Sequence, residues 1–255
     1  MKLRERIAVF VFCLFSSVFA FGQGKTDSVH TFQRSIAAQS HALMNDKKYL
    51  DALNLLEPEI KKKGIQDTVR DLLEILYIRS LHGAGRCDSS IEAGKDWADR
   101  DPHNIKPYFE LFDIYFSLGD YYNAAHQLEL ALMRKPGDAL MLSQAAFLYI
   151  FSEEQVKGEK LSKLALERAK SPREWAAART AKALLHVKRK EYQEALQLCK
   201  EAIADDVSYP ESFYVLALTY SRLGRQDMVC QPLLNAIERN GGPWCKDFYE
   251  TKCGE

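Results

Sequence analysis

Catalysis and metal binding need reactive side chains at spacings a backbone can bring together, and this chain offers few. Its six histidines stand at positions 30, 41, 82, 103, 126 and 186. No two are three or four residues apart, as a helical metal site or an H-E-x-x-H centre requires, so no metal is expected. Gly83-Ala84-Gly85 has the start of a dinucleotide loop, but Asp88 stands where the third glycine belongs and no strand pattern precedes it. It reads as a helix–helix turn. Gly24-Lys25-Thr26 imitates the end of a phosphate-binding loop whose required earlier glycine is Phe19. There is no G-x-S-x-G elbow, and no cysteine has a histidine nearby in sequence. The carboxylate pairs Glu153-Glu154 and Asp205-Asp206 fall in polar turns and read as solvated charge. No cofactor follows from these patterns.

Charge and address narrow the function further. Lys plus Arg equals Asp plus Glu at 35 each, so the basic excess that neutralises phosphates is missing and no nucleic-acid partner is expected. The 255 residues are 47% hydrophobic and 27% charged, with only 13 Gly and 8 Pro, a globular composition unlike that of a many-turned all-β protein. Met1 to Arg6 is basic and Ile7 to Ala20 is apolar except for Ser16 and Ser17, a secretory signal pattern over residues 1–22. Ala20 and Gly22 suit a cut before Gln23, and Val18 with Ala20 an alternative cut before Phe21. The run is shorter than the roughly 20 residues of a membrane-spanning helix, so cleavage, no stable membrane span, and export to the periplasm or cell exterior are expected, the periplasm first. Cys13 leaves with the signal. The other five cysteines, Cys87, Cys199, Cys230, Cys245 and Cys253, are odd in number and include no C-x-x-C pair, so no disulfide framework is indicated. Cys199 and Cys230 read as small hydrophobes of helical segments, and Cys245 with Cys253 is the one pairing to consider.

Apolar periodicity then shows what must position these residues. In Tyr108 to Pro136, Tyr108, Leu111, Tyr115 and Leu118 recur at helical spacing, Gly119-Asp120 makes a turn, and a second helix runs from Tyr121 to Met133. There Ala124, Leu128 and Ala131 form a buried stripe whose alanines permit close approach of a neighbour. The same anchor is traced through Ala52, Ser90, Ala124, Gly158, Ala195 and Val229, at intervals of 34 to 38 residues. Seven residues after the last four stand Ala131, Ala165, Ala202 and Ala236, and three before several anchors stands an aromatic, as at Tyr49, Tyr121 and Tyr192.

This pattern resembles the tetratricopeptide repeat, a helix–turn–helix unit of about 34 residues. The resemblance implies an all-α, right-handed α-α superhelix of about six helix pairs over residues 33–242. A 23–32 linker precedes it, and a short tail or cap over 243–255 follows Asn240-Gly241-Gly242-Pro243. Segment 105–138 matches nearly throughout, 210–242 in its first helix and 176–209 in its second. Segments 33–70, 71–104 and 139–175 depart from the pattern: Glu59 and Gly158 replace expected alanines, and an insertion falls near Lys61 to Gly64. Asp101-Pro102-His103-Asn104 is similar to the family's turn between repeats.

In this family the first helix of each pair lines the concave side. Mapped by repeat spacing, that face carries Phe109, Asp113 and Phe116, then Ser143, Phe147 and Ile150, then Thr180, Leu184 and Val187, then Tyr214, Leu218 and Ser221. Earlier units add Ile75, Arg79 and His82, and Ala37, His41 and Met44. The resemblance thus implies a peptide-binding groove at Phe109, Asp113, Phe116, Phe147, Ile150, Leu184, Tyr214 and Arg79. The expected role is a non-enzymatic adaptor that holds a peptide or amphipathic helix of another protein in this apolar groove. Some members clamp an acidic C-terminal tail with Lys, Asn and Arg. Here Lys106 matches, but Glu110 stands where Arg would be, which disfavours that ligand. Two rivals stay open: self-association through the tail aromatics Trp244, Phe248 and Tyr249, and a hydrolase using His82 with Asp113.

Overall fold

The computed structural model describes residues 27–62, 65 and 67–254. The signal pattern, its cleavage sites and Cys13 lie outside them, as do Lys63 and Gly64 of the insertion. Thirteen α-helices follow one another with no strand among the described residues. Six pairs are α1 (Asp27–Asn45) with α2 (Tyr49–Ile60), α3 (Asp67–Gly83) with α4 (Cys87–Arg100), α5 (Lys106–Ser117) with α6 (Tyr121–Arg134), α7 (Ala139–Phe151) with α8 (Gln155–Arg168), α9 (Pro172–Lys188) with α10 (Tyr192–Asp205), and α11 (Pro210–Arg222) with α12 (Cys230–Glu238). A thirteenth, α13 (Pro243–Cys253), ends the array. Helix α1 takes in residues 27–32 of the stretch expected as linker, and the tail is helical.

One corner is repeated in every pair. The second residue after each first helix has positive φ: Lys47, Gly85, Gly119, Glu153, Lys190 and Gly224. Its N–H donates to the carbonyl three residues back, and the next N–H donates to the one five back, as in Asp120 N–H to Tyr115 C=O at 2.9 Å and Glu191 N–H to His186 C=O at 2.9 Å. This is the left-handed helix C-cap, which favours glycine. Proline opens α5, α9, α11 and α13, where its missing N–H costs nothing. Asp120, Asp138 and Ser171 cap α6, α7 and α9 with their side chains.

The small-residue series marks the seams. Ala52, Ser90, Ala124, Ala195 and Val229 are all fully buried, as are Ala131, Ala165, Ala202 and Ala236. Gly158 fits the same seam for a stronger reason: a Cβ there would stand 2.3 Å from Ile150 Cγ1 and 2.9 Å from the Ala146 carbonyl. First helices also pack on first helices, α1 on α3, α3 on α5, α7 on α9 and α9 on α11. Helices α7 and α9 are buried nearly all round, so their apolar residues show no single stripe.

Arginines tie units together. Arg134 stacks 4.2 Å from the Tyr108 ring centroid, donates from Nε to the Pro102 carbonyl at 2.9 Å, and donates from Nη1 to the Leu130 carbonyl at 2.8 Å. Three units later Arg239 repeats this on Phe213 at 4.8 Å, with Val207 at 2.8 Å and Asn235 at 2.9 Å. The Asp205-Asp206 pair, expected as solvated charge, is recruited likewise: Asp205 pairs with Arg179, and Asp206 with Arg173 at 3.4 Å.

Candidate functional site: the inner face of the first helices

The inner face divides into two halves with different fates. In the first, α3 and α5 are bridged by polar rungs. Lys106 Nζ donates to Asp71 at 2.6 Å, Arg79 donates through Nε and Nη2 to both Glu110 oxygens at 2.7 Å each, and Ser117 Oγ stands 2.9 Å from His82 Nε2. A bidentate guanidinium–carboxylate pair is the strong form of such a contact. Both positive charges on these rungs are therefore satisfied internally. Asp113, one turn beyond Glu110, has no ion pair among the described residues. Desolvation by the packed helices around it, and then the Glu110 charge, raise its pKa to about 6 against the pull of Arg79, although part of its surface stays open to water. Beside it Phe109 keeps 36% of its surface exposed.

The second half is closed by the protein itself. Trp244, on the first turn of α13, is only 6% exposed. Its ring lies 5.5 Å from Phe116, 5.2 Å from Tyr121, 5.6 Å from Phe147, 5.0 Å from Phe151 and 6.1 Å from Tyr214. Phe248 follows one turn later, 6.0 Å from Tyr214. The tail aromatics that a self-association role would leave exposed are thus spent on their own chain.

The expected groove residues part accordingly. Arg79, Phe109 and Asp113 lie together on the open half, with Arg79 already engaged. Phe116, Phe147 and Tyr214 share one inner surface, but α13 covers it. Ile150 and Leu184 do not belong to any groove: both are fully buried, Ile150 because it fills the space left by Gly158 in α8. Thr180, expected on the groove, is buried between α9 and α11, 2.7 Å from Ser212 Oγ. Phe151 and Tyr121 belong to the covered surface and escaped the mapping. Phe151 stands one helical turn after Phe147, a spacing that marks it as a neighbour.

The cysteine pairing also differs from the expected one. The bridge joins Cys230 to Cys253, leaving Cys245 free and buried. Because the tail is a helix, Cys245 and Cys253 stand eight residues apart on it, about 12 Å along its axis. A disulfide spans at most about 7 Å between Cα atoms. His82 and Asp113 are not hydrogen-bonded to each other. The His82 ring faces Ser117, its Nδ1 is buried without a partner, and burial lowers its pKa. Ser117 holds Nε2, but among the described residues no acceptor holds Nδ1, where a nucleophile–base pair has its third, orienting group. Among the described residues no group of three or more His, Cys, Asp or Glu forms a metal cage, and no helix is long and apolar enough to cross a membrane.

Paired helices with a left-handed corner, a small-residue seam and an inner face of first helices define a tetratricopeptide-like all-α solenoid. Solved structures agree. A tetratricopeptide repeat protein from Parabacteroides merdae superposes with a TM-score of 0.63 at 16% identity, over 83% of this chain and 80% of that one. The APC/C hetero-tetramer Cut9-Hcn1 superposes with a TM-score of 0.51 at 15% identity, over 87% of this chain and 43% of that one. At these identities the likeness is one of fold. No family model and no curated protein sequence matches the chain.

Proposed function

We propose that this chain is an exported, non-enzymatic adaptor that binds a segment of another protein on the open inner face of α3 and α5. One observation carries the reading: Phe109 is exposed beside the unpaired Asp113, while neighbouring Arg79 and Lys106 are neutralised by Glu110 and Asp71. That surface offers one apolar contact and one free negative charge, which suits a segment with an apolar side chain next to a lysine or arginine. The Cys230–Cys253 bridge supports an oxidising compartment, in keeping with the signal pattern, and the periplasm is the preferred site.

Capture from native envelope extract, with wild type beside Phe109→Ala/Asp113→Asn, tests the face. A shared partner should be lost by the variant at least tenfold, and its capture by wild type should fall as pH drops below about 6, where Asp113 takes up a proton. Equal capture by a folded variant would end the reading. Export is tested by fractionation and N-terminal sequencing. A cytosolic product that keeps Met1 would refute it.

A further inference from the structure

Helix α13 is amphipathic. Trp244, Cys245, Phe248 and Tyr249 pack into the array, while Lys246, Asp247 and Glu250 stay outside. Its backbone packs chiefly alongside α12, and the Trp244 ring reaches α5, α7 and α11. This is helix-in-groove recognition carried out within one chain. The corner before it is shaped for that position: a Cβ on Gly242 would stand 2.3 Å from the Trp244 ring, and one on Gly241 would stand 2.8 Å from Cys245 Sγ. The fit is incomplete, since Trp244 Nε1 is buried without an acceptor, a cost that a rival helix need not carry.

Two tethers keep α13 in place. Residues 239–242 join its start to the end of α12, and Cys253 at its end is bridged to Cys230 at the start of α12. With both ends fixed to one helix it cannot leave. With the bridge opened it hangs from a single corner containing two glycines. Cys230 and Cys253 are each partly exposed, so a small thiol can reach them, whereas Cys199 and Cys245 are buried.

We propose that the seat of α13 is a binding site for a partner's amphipathic helix bearing an aromatic residue on its first turn, and that the Cys230–Cys253 disulfide locks α13 there until it is reduced. The reductant is a dithiol. One of its thiolates attacks a bridge sulfur to give a mixed disulfide, and the second displaces the protein thiol. Two electrons and two protons pass to Cys230 and Cys253 as the dithiol closes to its own disulfide. The freed helix then competes with the partner, its local concentration set by the short corner. This site is separate from the open face of α3 and α5. That face is open with the Cys230–Cys253 bridge intact, so its capture test needs no reductant and either proposal can fail alone.

The test uses the full chain, oxidised and after dithiothreitol, together with Cys253→Ser. The probe is a labelled synthetic peptide copying residues 241–254 with Cys245→Ser and Cys253→Ser, followed by anisotropy. In parallel, iodoacetamide trapping with mass spectrometry reads each thiol. Expected are no peptide binding and a protected Cys245 in the oxidised chain. Reduction or Cys253→Ser should bring peptide binding and Cys245 labelling at least tenfold faster, with Cys199 still protected. Phe147→Ala in the reduced chain should weaken the peptide tenfold or more. The proposal is overturned if Cys245 stays protected after reduction, or if neither the reduced chain nor Cys253→Ser binds the peptide. It also fails if Cys199 and Cys245 open together with loss of helical dichroism, which makes the bridge a staple of the whole fold. Concentration-dependent dimers of the reduced chain would give the seat to a second copy instead.

Discussion

Lys190→Gly should make the protein more stable. Lys190 forms the corner between α9 and α10 at φ 64°, a left-handed conformation that costs a residue with a Cβ about 1–2 kcal/mol. Glycine avoids that cost but loses about 0.5–1 kcal/mol more backbone freedom on folding. The difference is a gain of about 0.5–1 kcal/mol. Lys47, at φ 60° between α1 and α2, is equivalent. Both side chains are exposed and neither holds an ion pair among the described residues. Three whole helix pairs lie between the two corners, so the gains should add to about 1–2 kcal/mol, roughly 2–8 °C in Tm for a domain of this size. Gly119→Ala is the converse. At φ 76° an added Cβ meets nothing within 4 Å, so only backbone strain acts, and a loss of about 0.5–1 kcal/mol is expected. Urea unfolding followed by circular dichroism should show these as shifts in midpoint at constant slope. A lowered midpoint for Lys190→Gly, or no change for Gly119→Ala, would refute the reasoning.

Arg239→Lys should cost about 1–2 kcal/mol despite keeping the charge, because an ammonium cannot stack on Phe213 while bonding the Val207 and Asn235 carbonyls; Arg134→Lys should match it in urea unfolding. Gly158→Ala should lose stability in spite of better helix propensity, overpacking against Ile150 and the Ala146 carbonyl by about 1–3 kcal/mol; a rise in Tm would show that α7 and α8 can part. Burial raises the Glu211 pKa to about 7, opposed by its own N–H and by Arg173. The folded chain therefore holds that proton more tightly than the unfolded one, and stability is lost as pH rises from the ordinary carboxylate range through about 7. Glu211→Gln should gain Tm over wild type above that pH and match it in acid; parallel curves at all pH values would contradict this.

The fold was legible because its signal is local and repeated. Close helix approach needs a small residue once per unit, so the anchors from Ala52 to Val229 appear in sequence as they do in space. The corner is half legible: Gly85, Gly119 and Gly224 announce it, whereas Lys47, Glu153 and Lys190 adopt the same φ without advertising it. The inner face was mapped from repeat spacing, which places a residue on a helix but does not say what comes to rest on it. Phe116, Phe147 and Tyr214 share one surface, yet their cover comes from Trp244, up to 128 positions away, and no period links them. The register erred where packing overrode spacing, as at Ile150 and Leu184. The cysteine pairing failed for a simpler reason: nearness in sequence becomes distance once the segment is a helix.

A solenoid holds together by neighbour contacts, so it can open from either end. Here the two ends are unequal. The last two helices are joined at one end by peptide and at the other by sulfur, so neither can peel away alone, while α1, α2 and α3 rest on a small cluster of their own. Fraying must then run in one direction, from the first unit toward the last. Amide hydrogens should exchange earliest in α1 and α2 and latest near Trp244, and a protease meeting the protein should nibble from the front, leaving a shortened but closed C-terminal piece.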